Sequence, residues 1–171
     1  MRKRRRVVIV TPYSREAPSL LERLGRLAGA TGWRQPVEGT GTARRAIPVE
    51  HELAIALGMA RTSDPLDVGP DVAFDMATQS NRHQRRVCEA LTVALAESRD
   101  YRAVRRSRPF LAVAAWTAYT RLVFGTEGPR PDGVKPEDWE VLVDVAERIL
   151  ATLADQAVWR VGRALSTGRK G

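Results

Sequence analysis

"FLAVAAWTAYTRLVF", residues 110–124, is the longest apolar run of the chain, and its reading decides the fold. A bilayer-spanning helix needs about 20 apolar residues. This run is shorter and carries Arg121. Its apolar side chains almost encircle a helical wheel, which suits a helix surrounded by others at the centre of a core. Ser107 fits an N-cap, Pro109 a first helical position and Gly125 a stop. A central buried helix is therefore expected from 109 to 125.

Working outward, Pro136 with Glu137 and Asp138 starts a second long pattern that runs to Gly168. Leu142, Val145, Ile149, Leu153, Ala157 and Val161 form its main stripe; Trp139, Val143, Leu150, Val158 and Trp159 widen it. A helix of about 45 Å, at about 1.5 Å per residue, with so broad an apolar arc must touch more than one neighbour. Upstream, residues 82–98 place Val87, Ala90, Leu91, Ala94 and Leu95 on one face and Arg82, Arg85, Arg86 and Glu89 on the other. Residues 50–61 read as a helix, broken at 62–71 by Pro65, Gly69 and Pro70, after which "DVAFDMATQ" restarts it. "RVVIV" (6–10) reads as a strand, 45–49 as a second short one, and "APSLLERLGRLAGATG" as a helix. The expected fold is mainly α: one domain over 1–171, a bundle of about five helices with one or two short N-terminal β-strands. A basic arm (1–6) and a loop-rich segment (30–49) are appended to it.

The net charge of +8 and pI of about 10.7 point to a polyanionic partner. The cations are 25 Arg against 3 Lys, a bias that suits bidentate phosphate contacts and that a GC-rich genome would also produce. Eight arginines against three acids lie between 82 and 108. Arg82, Arg85, Arg86, Arg99, Arg102, Arg105, Arg106 and Arg108 are the expected phosphate contacts, with Arg44, Arg45, Arg4 and Arg5 as a secondary set. The bland alternative is a solvated face of weak pairs such as Arg85–Glu89, each worth about 0.3–0.5 kcal/mol. Tyr101 and Trp33 are candidates for base stacking.

Residues 126–155 reverse this balance, with eight acids against three basic residues. Glu140, Asp144 and Glu147 share one helix face and are the expected protein interface, meeting a basic partner surface such as the arginine face of another copy.

Other chemistry finds little support. Asp64, Asp67, Asp71 and Asp75 suit caps and first helical turns better than a metal. His51, His83 and Cys88 match no zinc spacing. "EGTGTARR" (38–45) lacks the residues of a dinucleotide or P-loop fingerprint, Pro65 interrupts any helix-turn-helix, and no nucleophile elbow occurs. No catalysis, metal or cofactor is expected. One cysteine excludes an internal disulfide and fits a reducing compartment; without an apparent signal peptide, a soluble cytoplasmic protein with no membrane partner is expected.

The stretch "NRHQRRVCEALTVALAESRDYRAVRRSRP" (81–109), followed by the buried helix 110–124, resembles the helical small subunit of CRISPR effector complexes. Those subunits stack along the complex and contact nucleic-acid backbone without catalysis. The resemblance implies an RNA- or single-stranded-DNA-binding subunit that meets other protein subunits and further copies of itself. The alternatives are a phage or plasmid DNA-binding accessory protein of packaging or replication, which would prefer duplex DNA, and a pure protein-interaction subunit.

Overall fold

The computed structural model describes residues 49–98, 105 and 108–167. Within them the chain forms five helices: α1 (Val49–Gly58), α2 (Gly69–Thr78), α3 (Gln84–Glu97), α4 (Leu111–Phe124) and α5 (Pro136–Thr167). A single 3-10 turn, Arg108–Phe110, leads into α4. No strand occurs among the described residues, and the mainly α bundle holds. The expected strand at 6–10, the helix within 17–32, the basic arm and most of the loop-rich segment lie outside them. Val49, placed at the end of a second strand, is the first residue of α1.

α5 is the spine of the bundle. It packs chiefly on α2 and α4 and more lightly on α1 and α3, while α4 also packs on α3. The breadth of its apolar arc explains why one helix meets four neighbours. The buried line runs through Trp139, Leu142, Val143, Ala146, Leu150, Ala154, Ala157, Val158 and Val161. Alanines 146 and 154, absent from the expected stripe, are fully buried within it. Val145, Ile149 and Leu153 sit only partly buried at its edge. Trp159, expected to widen the stripe, is 59% exposed and lies under the Arg163 guanidinium instead.

α4 also departs from expectation. Leu111, Ala114, Ala115, Ala118, Tyr119 and Val123 are buried, but Val113 and Trp116 face solvent. The wheel is apolar all round, yet only one side is covered among the described residues. The helix proper begins at Leu111, two residues after Pro109, because residues 108–110 tighten into the 3-10 turn; Ser107 lies outside the described residues. Its end is as expected, with Gly125 left-handed at φ 68° and donating its N–H to the Arg121 carbonyl. No helix among the described residues is long and apolar enough to cross a membrane.

The loop between α1 and α2 is pinned from both sides. Asp67 accepts from the Gly69 N–H and the Thr62 hydroxyl, and Arg160 of α5 reaches Asp67 at 2.7 Å and the Ala60 carbonyl at 2.9 Å. These bonds draw the start of α2 onto α5 so closely that a β-carbon on Gly69 would run into the Leu153 carbonyl. Gly69→Ala is expected to destabilise the protein by about 1–3 kcal/mol, the range for forced overpacking. Gly58→Ala, where a β-carbon meets nothing, should be neutral or slightly stabilising. Urea denaturation of the two variants checks this.

Candidate nucleic-acid interface

α2 carries Asp71 and Asp75 four residues apart, hence on one side of the helix. Asp71 stands in the first turn of α2, as expected, but both carboxylates are buried, at 1% and 0% exposure. Asp75, one turn further on, belongs neither to a cap nor to the first turn. Asp64 and Asp67 do serve the loop in that way, accepting from the Leu66 and Gly69 N–H groups. A buried carboxylate is tolerated only when its lone pairs are filled. Asp75 accepts the Tyr119 hydroxyl at 2.6 Å and the His83 backbone N–H and ring Nδ1–H at 2.9 Å each. The Ser80 hydroxyl, at 3.1 Å, is its fourth partner. Because the carboxylate only accepts, the His83 hydrogen on this side sits on Nδ1.

Asp71 fills its site with arginines. Arg61 Nη2 donates to Oδ1 at 2.9 Å, and Arg86 Nη1 stands 3.3 Å from Oδ2 as an ion pair without hydrogen-bond alignment. His83 Nε2 lies 3.7 Å from the same Oδ1. The arginine side chains are 49% and 51% exposed, so each is pinned at one edge and open to solvent at the other. Arg82 lies over the Phe74 ring, 5.4 Å from its centroid, and the His83 ring meets Phe74 edge-on at 5.3 Å. Arg85 is the outlier: 92% exposed, it holds only Glu89, at 2.9 Å, the surface pair anticipated from the sequence.

The expected contacts therefore fall into three groups. Arg82, Arg85 and Arg86 share one face, and Arg61, which sequence reasoning did not select, joins them through Asp71. Arg105 and Arg108 are exposed ahead of α4. Arg99, Arg102, Arg106, Arg44, Arg45, Arg4 and Arg5, with the stacking candidates Tyr101 and Trp33, lie outside the described residues. The missed signal was the Asp71–Asp75 spacing inside an otherwise apolar helix. A carboxylate on a core-facing side demands cations or donors from elsewhere in the chain. The four guanidiniums of Arg61, Arg82, Arg85 and Arg86 stand against the three carboxylates of Asp71, Asp75 and Glu89 here, an excess of one positive charge, and Arg82 is the one that pairs with none of the three.

The acidic stripe has its own counter-ion. Arg121 of α4, 16% exposed, lies 3.3 Å from both Glu127 and Glu140 and 3.7 Å from Asp144. Burial works against its charge, but Glu127 and Glu140 outweigh it and hold the guanidinium pKa above its ordinary value. Glu147 is half-buried beside them. Burial pushes its carboxyl pKa up, Arg121 pulls it down, and Asp144 and Glu127 push it up again; the outcome is a raised value. Glu140, Asp144 and Glu147 thus surround a cation of their own chain, four carboxylates in all around one guanidinium.

Compared with family models, curated proteins and solved structures, the chain finds no match.

Burial, then the hydrogen bond to Asp75, push the Tyr119 hydroxyl pKa far above its ordinary 10.0. A raised folded value means stability present below about pH 10 and lost as pH rises above it. Tyr119→Phe should cost about 1.5–3 kcal/mol at neutral pH, the range for a hydrogen bond to a charged group. The cost should shrink as pH climbs past 10, as thermal melting across alkaline pH would show. The same sign rule applies to Glu147, whose raised value makes its charged form a burden once pH exceeds its ordinary 4.5. Glu147→Gln should raise the melting temperature at pH 7 and leave it nearly unchanged at pH 3.5.

Proposed function

We propose that the protein is a non-catalytic, nucleic-acid backbone-binding helical subunit of a larger nucleoprotein complex, of the RNA-guided CRISPR type. Arg61, Arg82, Arg85 and Arg86 supply the fixed positive charge, and RNA or single-stranded DNA is the partner. The observation that carries this reading is the Asp71 bridge. A surface arginine surrenders about 2 kcal/mol of rotamer entropy when it grips a ligand. Arg61 and Arg86 have already lost part of that freedom to a buried carboxylate, and each keeps outward donors for a phosphate. The resemblance of 81–124 to the CRISPR small subunits supports the same assignment. Arg105 and Arg108 extend the basic character towards α4.

The subunit part of the reading draws on a second observation. Val113 and Trp116, one turn apart on α4, are 39% and 45% exposed. Exposed aromatic residues of this kind are enriched where protein surfaces meet. Contacts with other subunits, including further copies, would cover them.

The test is a salt series with single-stranded RNA, single-stranded DNA and duplex DNA. Binding should be strong at low salt, weaken linearly in log–log form, and favour the single strands. The triple variant Arg82→Gln, Arg85→Gln, Arg86→Gln should reduce the slope by about 2, three positive charges removed at about 0.7 each. No binding to any of the three at low salt would remove the reading. A duplex preference that depends on sequence would favour the phage or plasmid accessory protein.

A further inference from the structure

We infer that Arg82, laid on Phe74, is a seat on which one unpaired nucleobase stacks. This rests on the backbone-binding reading above and adds to it a contact that is not electrostatic. Phe74 is 4% exposed, so its ring is out of a ligand's reach and acts only as a backing. The ring is fixed in turn: the His83 edge meets it at 90°, and His83 is held by two 2.9 Å bonds to the fully buried Asp75. Arg82 itself stays exposed. Its three neighbours are committed otherwise, Arg61 and Arg86 to Asp71 and Arg85 to Glu89. Arg82 makes no ion pair with any described residue; its one described contact is the ring.

A guanidinium that needed only to display charge would gain more from a carboxylate or from full hydration. One supported on an aromatic ring offers its outer face as a flat platform with N–H donors around the rim. Guanidinium planes stack the splayed bases of single strands, whereas duplex bases already cover one another. Arg61 and Arg86, neighbours across the Asp71 carboxylate, then take the flanking phosphates. The ligand class is a single-stranded oligonucleotide with at least one unstacked base.

Two fluorescein-labelled dodecamers separate base from backbone: oligo(dA), and an abasic strand with the same phosphates. The full chain should bind the abasic strand about 5- to 150-fold more weakly, the worth of one stack, with the same salt slope. Arg82→Lys keeps the charge and loses the plane. It should bind both strands alike, at the slope of the unaltered protein. Arg82→Gln should also lose the preference and reduce the slope. Equal affinity of the unaltered protein for both strands, with a steep salt slope, would overturn the seat and leave backbone binding standing. A preference that survives in Arg82→Lys would equally overturn it. Failure to bind either strand at low salt would remove both readings.

Discussion

The fully buried charge of Asp75 is the constraint on which the described structure turns. Removing a carboxylate from water costs several kcal/mol even after relaxation, and only a complete set of donors offsets that. The chain supplies four, from three places: the Tyr119 hydroxyl of α4, the Ser80 hydroxyl, and the backbone and ring of His83. Satisfying one side chain thus fixes the contact of α2 with α4 and the path of the turn into α3. Gln79 shows how tightly that path is held. It sits in the left-handed region at φ 51° without being glycine, and its amide bonds the Val123 carbonyl at 2.9 Å, at the far end of α4.

From this anchor the order of the basic face follows by contact. Asp75 fixes His83, His83 fixes the Phe74 ring, and the ring supports Arg82. One turn earlier on α2, Asp71 positions Arg61 and Arg86. Arg61, Arg82 and Arg86 are therefore arranged by the interior of the protein, and only Arg85, paired with Glu89, stands on the helix surface alone. This changes what the charge means. A count of eight arginines between 82 and 108 overstates the field at this face, since carboxylates the count did not pair with them lie beneath it. What the face gains instead is geometry, since Arg61 and Arg86 are held in place by a buried carboxylate.

How much of this the sequence disclosed depends on whether a feature is local. The helices around Ala90, Ala118 and Leu150 were readable because period and caps are written within a few residues, down to the stop at Gly125 and the Arg85–Glu89 pair. The rotation of α5 was less readable. Trp159 looks like core on a wheel, but Ala146 and Ala154 are the residues that are buried, and a hydrophobicity pattern undervalues alanine. Asp71 does stand in the first turn, but the burial of Asp71 and Asp75 was not foreseen, because their partners Arg61 and Tyr119 stand 10 and 44 residues away along the chain. Pairings at such separation exist only once the helices have packed. The site is for that reason less legible than the fold that builds it.

The two charged clusters obey one rule with the signs exchanged. Between α2 and α3 a buried anion gathers cations; between α4 and α5 a nearly buried cation, Arg121, gathers Glu127, Glu140, Asp144 and Glu147. In each, the ion that packing withdraws from solvent decides which opposite charges remain at the surface and where they stand. In these two clusters the surface charge is accordingly a projection of core electrostatics. The acidic cluster is the less balanced of the two, since one guanidinium answers four carboxylates; burial first, with Asp144 and Glu127 adding to it against the pull of Arg121, holds the Glu147 carboxyl pKa above its ordinary value. A polyanion approaching the molecule meets repulsion at this acidic surface and fixed guanidinium donors beside α2 and α3. Binding would thus be oriented by the same buried charges that hold the helices together.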